Sequence, residues 1–381
     1  MASDLERRLR RWEESAVIDA TTLARIREFE RARAAARSSR WAVAIALGFG
    51  GLLVCAGVLL FVSASWDVLS PAARTALVLA MVAVFHTAGA AASGKSAALA
   101  SVLHAAGTVA LGAGIFLVGQ IFNLDEHWPS GILLWALGAW LAWAVLRDWP
   151  QMALAALLTP AWLLGEWAVL GESYDGFRLE GVAGTFAFLL AVTYFTSRRR
   201  DRFGDWQPVF LWTGGLALLP AAVALGVAAA RHVSHMPGPS VLPAMPVQTL
   251  AVAWIVATVL PLIAAIVLRG RAWWWNLGAT VWAVALCHVP LAGGRLAVYA
   301  WLAAGWIGLA AWGVLERRVE RINLATVCFA VTVVTFYFDS FADKLGRSAG
   351  LAALGLLFLG GGYLLERTRK RIVGRTMGGA V

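Results

Sequence analysis

Residues Trp41–Ser63 form a run of 23 amino acids without a single charge, and they follow a 40-residue segment that holds ten arginines. A helix of about 20 apolar residues is long enough to cross the hydrocarbon core of a bilayer. Lipid offers a backbone N–H or C=O no hydrogen-bonding partner, so such a run must satisfy itself as a helix. Arginines beside the first apolar segment tend to stay in the cytoplasm. This one junction therefore predicts a membrane-embedded chain with its N-terminus inside.

The rest of the chain repeats the pattern. Twelve apolar spans are expected, at about 41–63, 71–92, 97–122, 130–146, 150–170, 179–196, 207–230, 246–268, 273–291, 296–315, 323–340 and 348–365. With the N-terminus inside, 26 of the 32 basic residues fall on the cytoplasmic side, including Arg198, Arg199, Arg200, Arg269, Arg317, Arg318 and Arg321. An error of one span would swap every later loop and destroy that asymmetry. The expected class is an all-α polytopic transmembrane helix bundle of about 12 spans with both termini cytoplasmic. It divides into a cytoplasmic amphipathic segment (1–40), four spans (41–150), the remaining spans (151–365) and a basic tail (366–381). At 60% hydrophobic and 14% charged, the chain departs far from soluble-domain composition.

Ser70-Pro71 reads as an N-cap followed by proline in the first helical position, and Trp149-Pro150 opens the fifth span similarly. Tryptophans such as Trp41, Trp128, Trp149 and Trp273 to Trp275 fall at span ends, where indoles prefer the interface. Pro160, Pro220 and Pro261 lie inside spans, and each frees a carbonyl that something else must satisfy. In the first 40 residues Leu5, Leu9 and Trp12, then Leu23, Ile26 and Phe29, recur at helical spacing, and Asp19 can cap the second set. Two short amphipathic helices result, suited to lie on the inner leaflet or to bind a cytoplasmic or membrane protein partner; a solvated, partly frayed lead-in is the alternative.

Several classes are excluded. The positive charge is spread between spans rather than gathered on a basic fold, which argues against nucleic acid. Cys55, Cys287 and Cys328 stand singly in apolar spans without metal or disulfide spacing, and read as buried apolar residues. The leader does not resemble a cleavable signal peptide. No phosphate-binding glycine loop, nucleophile elbow or zinc-protease helix occurs. No catalytic residue, cofactor or metal is expected.

Polar groups inside a membrane are costly, and so mark the first places to look for function. His86 and His104 lie about six and seven residues from the inner ends of two antiparallel spans joined by a short loop, so their rings can meet. A proton relay or pH sensor is one reading. An interhelical hydrogen bond that fixes the hairpin is the simpler one, because neither span carries a carboxylate at that depth. The outer face supplies Trp66, Asp67, Gln120, Asn123, Asp125, Glu126 and His127 from two loops. Glu166, His288 and Asp339 lie near the outer ends of later spans. Their convergence would make an acidic, histidine-bearing vestibule suited to cations or amines; separation would leave ordinary hydrated loops.

The residues Gly57-Val58-Leu59-Leu60-Phe61, Ser65-Trp66-Asp67-Val68-Leu69-Ser70-Pro71, Arg74 and Phe85-His86 form a distinctive series. It continues with His104, Gly107, Gly112, Gly119-Gln120-Ile121-Phe122-Asn123-Leu124, Trp128-Pro129 and Leu134-Trp135. Over roughly the first 150 residues this series resembles the bacterial membrane proteins grouped as domain of unknown function 2157. The stretch from Trp12 to Glu30 is similar to that family's short cytoplasmic lead-in. Tyr337-Phe338-Asp339 and Gly362-Tyr363-Leu364-Leu365-Glu366-Arg367 resemble the closing spans of related proteins. The resemblance implies a multi-pass protein of the bacterial cytoplasmic membrane; the family carries no established activity, so it implies no catalytic residue. Three functions are compatible with the sequence. The first is a transporter or channel-like protein for a small polar or cationic solute. The second is a non-catalytic scaffold or sensor acting through residues 1–40. The third is a membrane enzyme at the outer face.

Overall fold

The computed structural model describes residues 9, 11–15, 17–29, scattered positions between 46 and 60, 70–121, 127–174, 177–198, 206–234, 242–288, 294–340 and 355. The expected spans 41–63 and 348–365 lie essentially outside them. The other ten coincide with ten helices. They are α1 (Pro71–Ala92), α2 (Ala97–Ile121), α3 (Pro129–Leu146), α4 (Trp149–Ser173), α5 (Phe177–Phe195), α6 (Gln207–Ser234), α7 (Val247–Arg269), α8 (Trp274–His288), α9 (Gly294–Leu315) and α10 (Val319–Ser340). No strand occurs among the described residues.

Eight of the ten are long and apolar enough to cross a bilayer, and the protein is a multi-pass membrane protein. The exceptions are α5 and α8. At ~1.5 Å per residue the 15-residue α8 covers about 22 Å, less than a ~30 Å hydrocarbon core. Helix α5 is enclosed by protein: Val182, Phe186, Leu189 and Val192 are almost wholly buried, between α6, α7 and α8. By contrast Val252, Ile255, Val259, Ile263 and Ile266 of α7 are exposed. An apolar surface of that kind suits contact with lipid.

The chain forms two compact units. The first comprises Met1–Glu126 with Ala144–Gln151, and its centre is the α1–α2 hairpin. Helix α1 starts as expected, with the Ser70 hydroxyl accepting from the Ala73 N–H at 3.3 Å and Pro71 in first position. Ser96 does the same for α2 by accepting from the Leu99 N–H. In the lead-in, residues 20–29 are helical and the Thr22 N–H donates to the Asp19 carboxylate. Leu9 and Leu23 are buried, while Trp12, Val17 and Phe29 remain exposed.

The second unit comprises His127–Trp143 and Met152–Val381. Its α5 and α6 approach so closely that a Cβ on Gly184 would lie 2.9 Å from Leu225 Cα; a small residue there is what permits the contact. Pro160 cannot donate to Ala156, four residues earlier. The Tyr194 hydroxyl of α5 takes that freed carbonyl at 3.3 Å, so the proline break in α4 becomes a tie between helices. Arg147 and Arg317, in the linkers after α3 and α9, both adopt positive φ (54° and 53°). Glycine usually fills such sites; arginine there brings a cation to a helix C-terminus, where the helix dipole favours it.

Candidate functional site

His86 of α1 and His104 of α2 meet inside the hairpin. Their Nδ1 atoms lie 3.1 Å apart and the ring centroids 5.4 Å apart. The approach rests on a repeated local pattern, His86-Thr87-Ala88-Gly89 and His104-Ala105-Ala106-Gly107. Each glycine follows its histidine by three residues and therefore lies on the same helix face. Because the helices are antiparallel, each ring sits on the other helix's glycine. A Cβ on Gly107 would lie 2.8 Å from the His86 ring, and one on Gly89 would lie 2.8 Å from the His104 ring. His104 is buried at 8% exposure, and its own carbonyl accepts from the Thr108 hydroxyl.

A carboxylate accompanies the pair, supplied by the α3–α4 linker rather than by either histidine-bearing helix. The Ser101 hydroxyl, one turn before His104, donates to Asp148 Oδ2 at 3.2 Å. Asp148 Oδ1 is buried without a protein partner, as are both polar atoms of the Gln151 amide one turn further on. Burial pushes the Asp148 carboxyl above its ordinary range. The Ser101 hydroxyl, the Gln151 backbone N–H and the charge of nearby His104 act in the opposite direction. Asp148 is not among the residues expected from sequence, because it lies just outside a span. The available signal was Asp148-Trp149-Pro150-Gln151, an acidic residue three before a glutamine at a helix start.

The outer-face residues divide. His127 Nε2 lies 2.5 Å from Glu166 Oε2, and Glu166 Oε1 accepts from the Trp162 indole at 2.7 Å. His288 does not join them: its Nδ1 is within 3.0 Å of the Val284 carbonyl, and its ring packs on Trp254. Trp66, Asp67, Asn123, Asp125 and Glu126 lie outside the described residues, as do the side chains of Gln120 and Asp339. Among the described residues no three His, Cys, Asp or Glu side chains gather to hold a metal ion.

A second polar centre was not anticipated. Arg198, Arg269 and Arg321 enter the sequence argument only as topological charges, yet all three bind Glu316. Arg198 and Arg321 reach Oε2 at 2.5 Å, and Arg269 reaches Oε1 at 2.8 Å. The Trp312 indole also donates to Oε1. The Arg269 and Arg321 guanidinium carbons lie 4.7 and 5.2 Å from the Trp312 ring centroid, within range of a cation–π contact. Both guanidinium groups also donate to the Thr196 carbonyl at the end of α5. Burial alone would raise the Glu316 carboxyl, but the Trp312 and Arg198 hydrogen bonds and the charges of Arg321 and Arg269 hold it at about 2. This node ties the ends of α5, α7 and α9 to the start of α10. Its carboxylate is already saturated with donors, which marks it as a structural lock.

Residues 10–152 match the family described as predicted membrane protein (DUF2157). No curated protein and no solved structure matches the chain. The matched region closes one residue after the first unit ends at Gln151. It contains the histidine pair, both glycines, Ser101 and Asp148.

Proposed function

We propose that this integral membrane protein is a proton-responsive, transporter-like protein whose first unit takes up and releases a proton at His86–His104. The observation that carries the reading is the 3.1 Å contact between two Nδ1 atoms. Such a contact holds one proton: one nitrogen donates and the other accepts. A second proton at that position would set donor against donor, so an added proton goes to an Nε2 and leaves the pair with a single positive charge. The carboxylate absent from both histidine-bearing spans is supplied by Asp148, with Ser101 between it and His104. The unpartnered Asp148 Oδ1 and Gln151 amide suit a hydrated approach from the side that the arginines place in the cytoplasm. Lys95 and Arg147 occupy the two turns at this end of the unit. Among small cationic solutes, a proton is the one these groups suit. Twelve spans with both termini cytoplasmic complete the proposed topology, with the shorter α5 and α8 counted among them.

The test uses the full chain in liposomes containing a pH-sensitive dye. An imposed pH step should produce proton uptake that is lost in His86→Gln and His104→Gln and slowed in Asp148→Asn. Equal uptake in wild type and both histidine variants would defeat the proposal.

A scaffold or sensor role remains the second reading, favoured by the exposed Trp12, Val17 and Phe29 of the lead-in. Deleting residues 1–29 should then abolish copurification of a partner while leaving proton uptake intact.

A further inference from the structure

The second unit contains a cavity of about 320 Å³ between α6, α9 and α10, independent of the histidine pair. Its floor is apolar and buried: Val298 at 1%, Leu302 at 7% and Trp306 at 4% exposure. Its α6 rim, Val223 and Val227, is about half exposed. The polar atoms in its wall are largely satisfied. The Trp306 indole donates to the Thr332 hydroxyl, which donates to the Cys328 carbonyl, and the Thr335 hydroxyl donates to Val331. An interior of this kind suits hydrocarbon and gives no reward to a polar ligand.

Position and length narrow the occupant. Along α6 the lining runs from Leu219 to Arg231, twelve residues or ~18 Å. That is close to half of a ~30 Å hydrocarbon core. Helix α6 begins at the end of the unit that carries the Arg198–Glu316 node, so Arg231 marks the opposite membrane face and Leu219 lies towards mid-bilayer. Arg231 is exposed at that mouth. Its Nη1 donates to both carboxylate oxygens of Glu180, at 2.7 and 2.9 Å. An exposed guanidinium, with its fork of five N–H donors, one leaflet above an apolar floor complements a phosphate with a hydrocarbon tail.

We propose that the cavity binds one acyl chain of an anionic phospholipid from the leaflet at Arg231, with its phosphate on the Arg231 guanidinium. The full chain is reconstituted into nanodiscs of mixed phosphatidylglycerol and phosphatidylcholine, then released for native mass spectrometry. The expected result is one retained phosphatidylglycerol. Val223→Trp and Val227→Trp fill the groove and should each lower retention about tenfold. Arg231→Gln should keep a bound lipid but lose the preference for phosphatidylglycerol, and Glu180→Gln, which frees the guanidinium, should strengthen it. Wild-type retention in both tryptophan variants overturns the proposal. So does a disulfide between Val223→Cys and a cysteine placed within residues 348–365 in protein that retains no lipid, because the chain itself would then fill the groove. An unchanged preference in Arg231→Gln overturns the headgroup assignment. If both tryptophan variants fail to fold, spin-labelled phosphatidylglycerol on the wild type decides, and absence of a motionally restricted component rejects the site.

Discussion

His86 packs on Gly107 while His104 packs on Gly89, so the two imidazoles are held at 3.1 Å by a reciprocal pair of missing side chains. The geometry leaves no room for a methyl group at either glycine. Gly107→Ala should displace the His86 ring and cost about 1–3 kcal/mol, read as a lower unfolding temperature in detergent. Adding His86→Ala should recover much of that loss, since the clash is with the ring itself. Additive losses in the double variant would argue against the socket.

Asp148 gives this end of the first unit a dependence on pH. Burial raises its carboxyl above the ordinary 3.8, so the folded chain holds a proton more tightly than the unfolded one. Its contribution is therefore most favourable below pH 3.8 and is lost as pH rises through the raised value. Asp148→Asn should remove that component and leave a flatter stability–pH profile. Thermal unfolding across a pH series checks this, and an unchanged slope would count against it.

Glu316 behaves in the opposite sense. Its carboxyl is held at about 2 against an ordinary 4.5, so its stabilisation is complete above pH 4.5 and disappears as pH falls towards 2. Glu316→Gln leaves Arg269 and Arg321 buried without a counter-charge and should cost about 3–5 kcal/mol at neutral pH. Arg198 is 40% exposed, and Arg198→Gln should cost no more than about 1 kcal/mol. Comparable losses in the two variants would show that the node is not organised around the carboxylate.

The Tyr194 hydroxyl matters because of Pro160. Tyr194→Phe should cost about 1 kcal/mol by stranding the Ala156 carbonyl. In a Pro160→Ala background the restored backbone N–H takes that carbonyl, and the same substitution should then cost clearly less. Unfolding of the four proteins of this double-mutant cycle provides the measurement, and equal costs in both backgrounds would contradict the assignment.

Much of the molecule is legible in its sequence. The Ser70-Pro71 start, the Trp149 start and the antiparallel hairpin that brings His86 near His104 all follow from hydropathy, capping and loop length. The convergence of polar groups was not legible. Asp148 belongs to the site although it lies beyond the span boundary, and His288 is occupied by Val284 and Trp254 rather than by Glu166. Arg198, Arg269 and Arg321 were visible only as charges on one side, because nothing local announces that Glu316 collects them.

The sequence alone determined that lipid surrounds this chain and where its helices run, since hydropathy and positive charge act residue by residue along the chain. Tertiary structure decided which of those helices is buried in protein, as α5 is, and which costly polar groups find partners. Those outcomes depend on the order and rotation of packed helices, and these are set by contacts such as His86 on Gly107 and Gly184 against Leu225 that join residues distant in the chain.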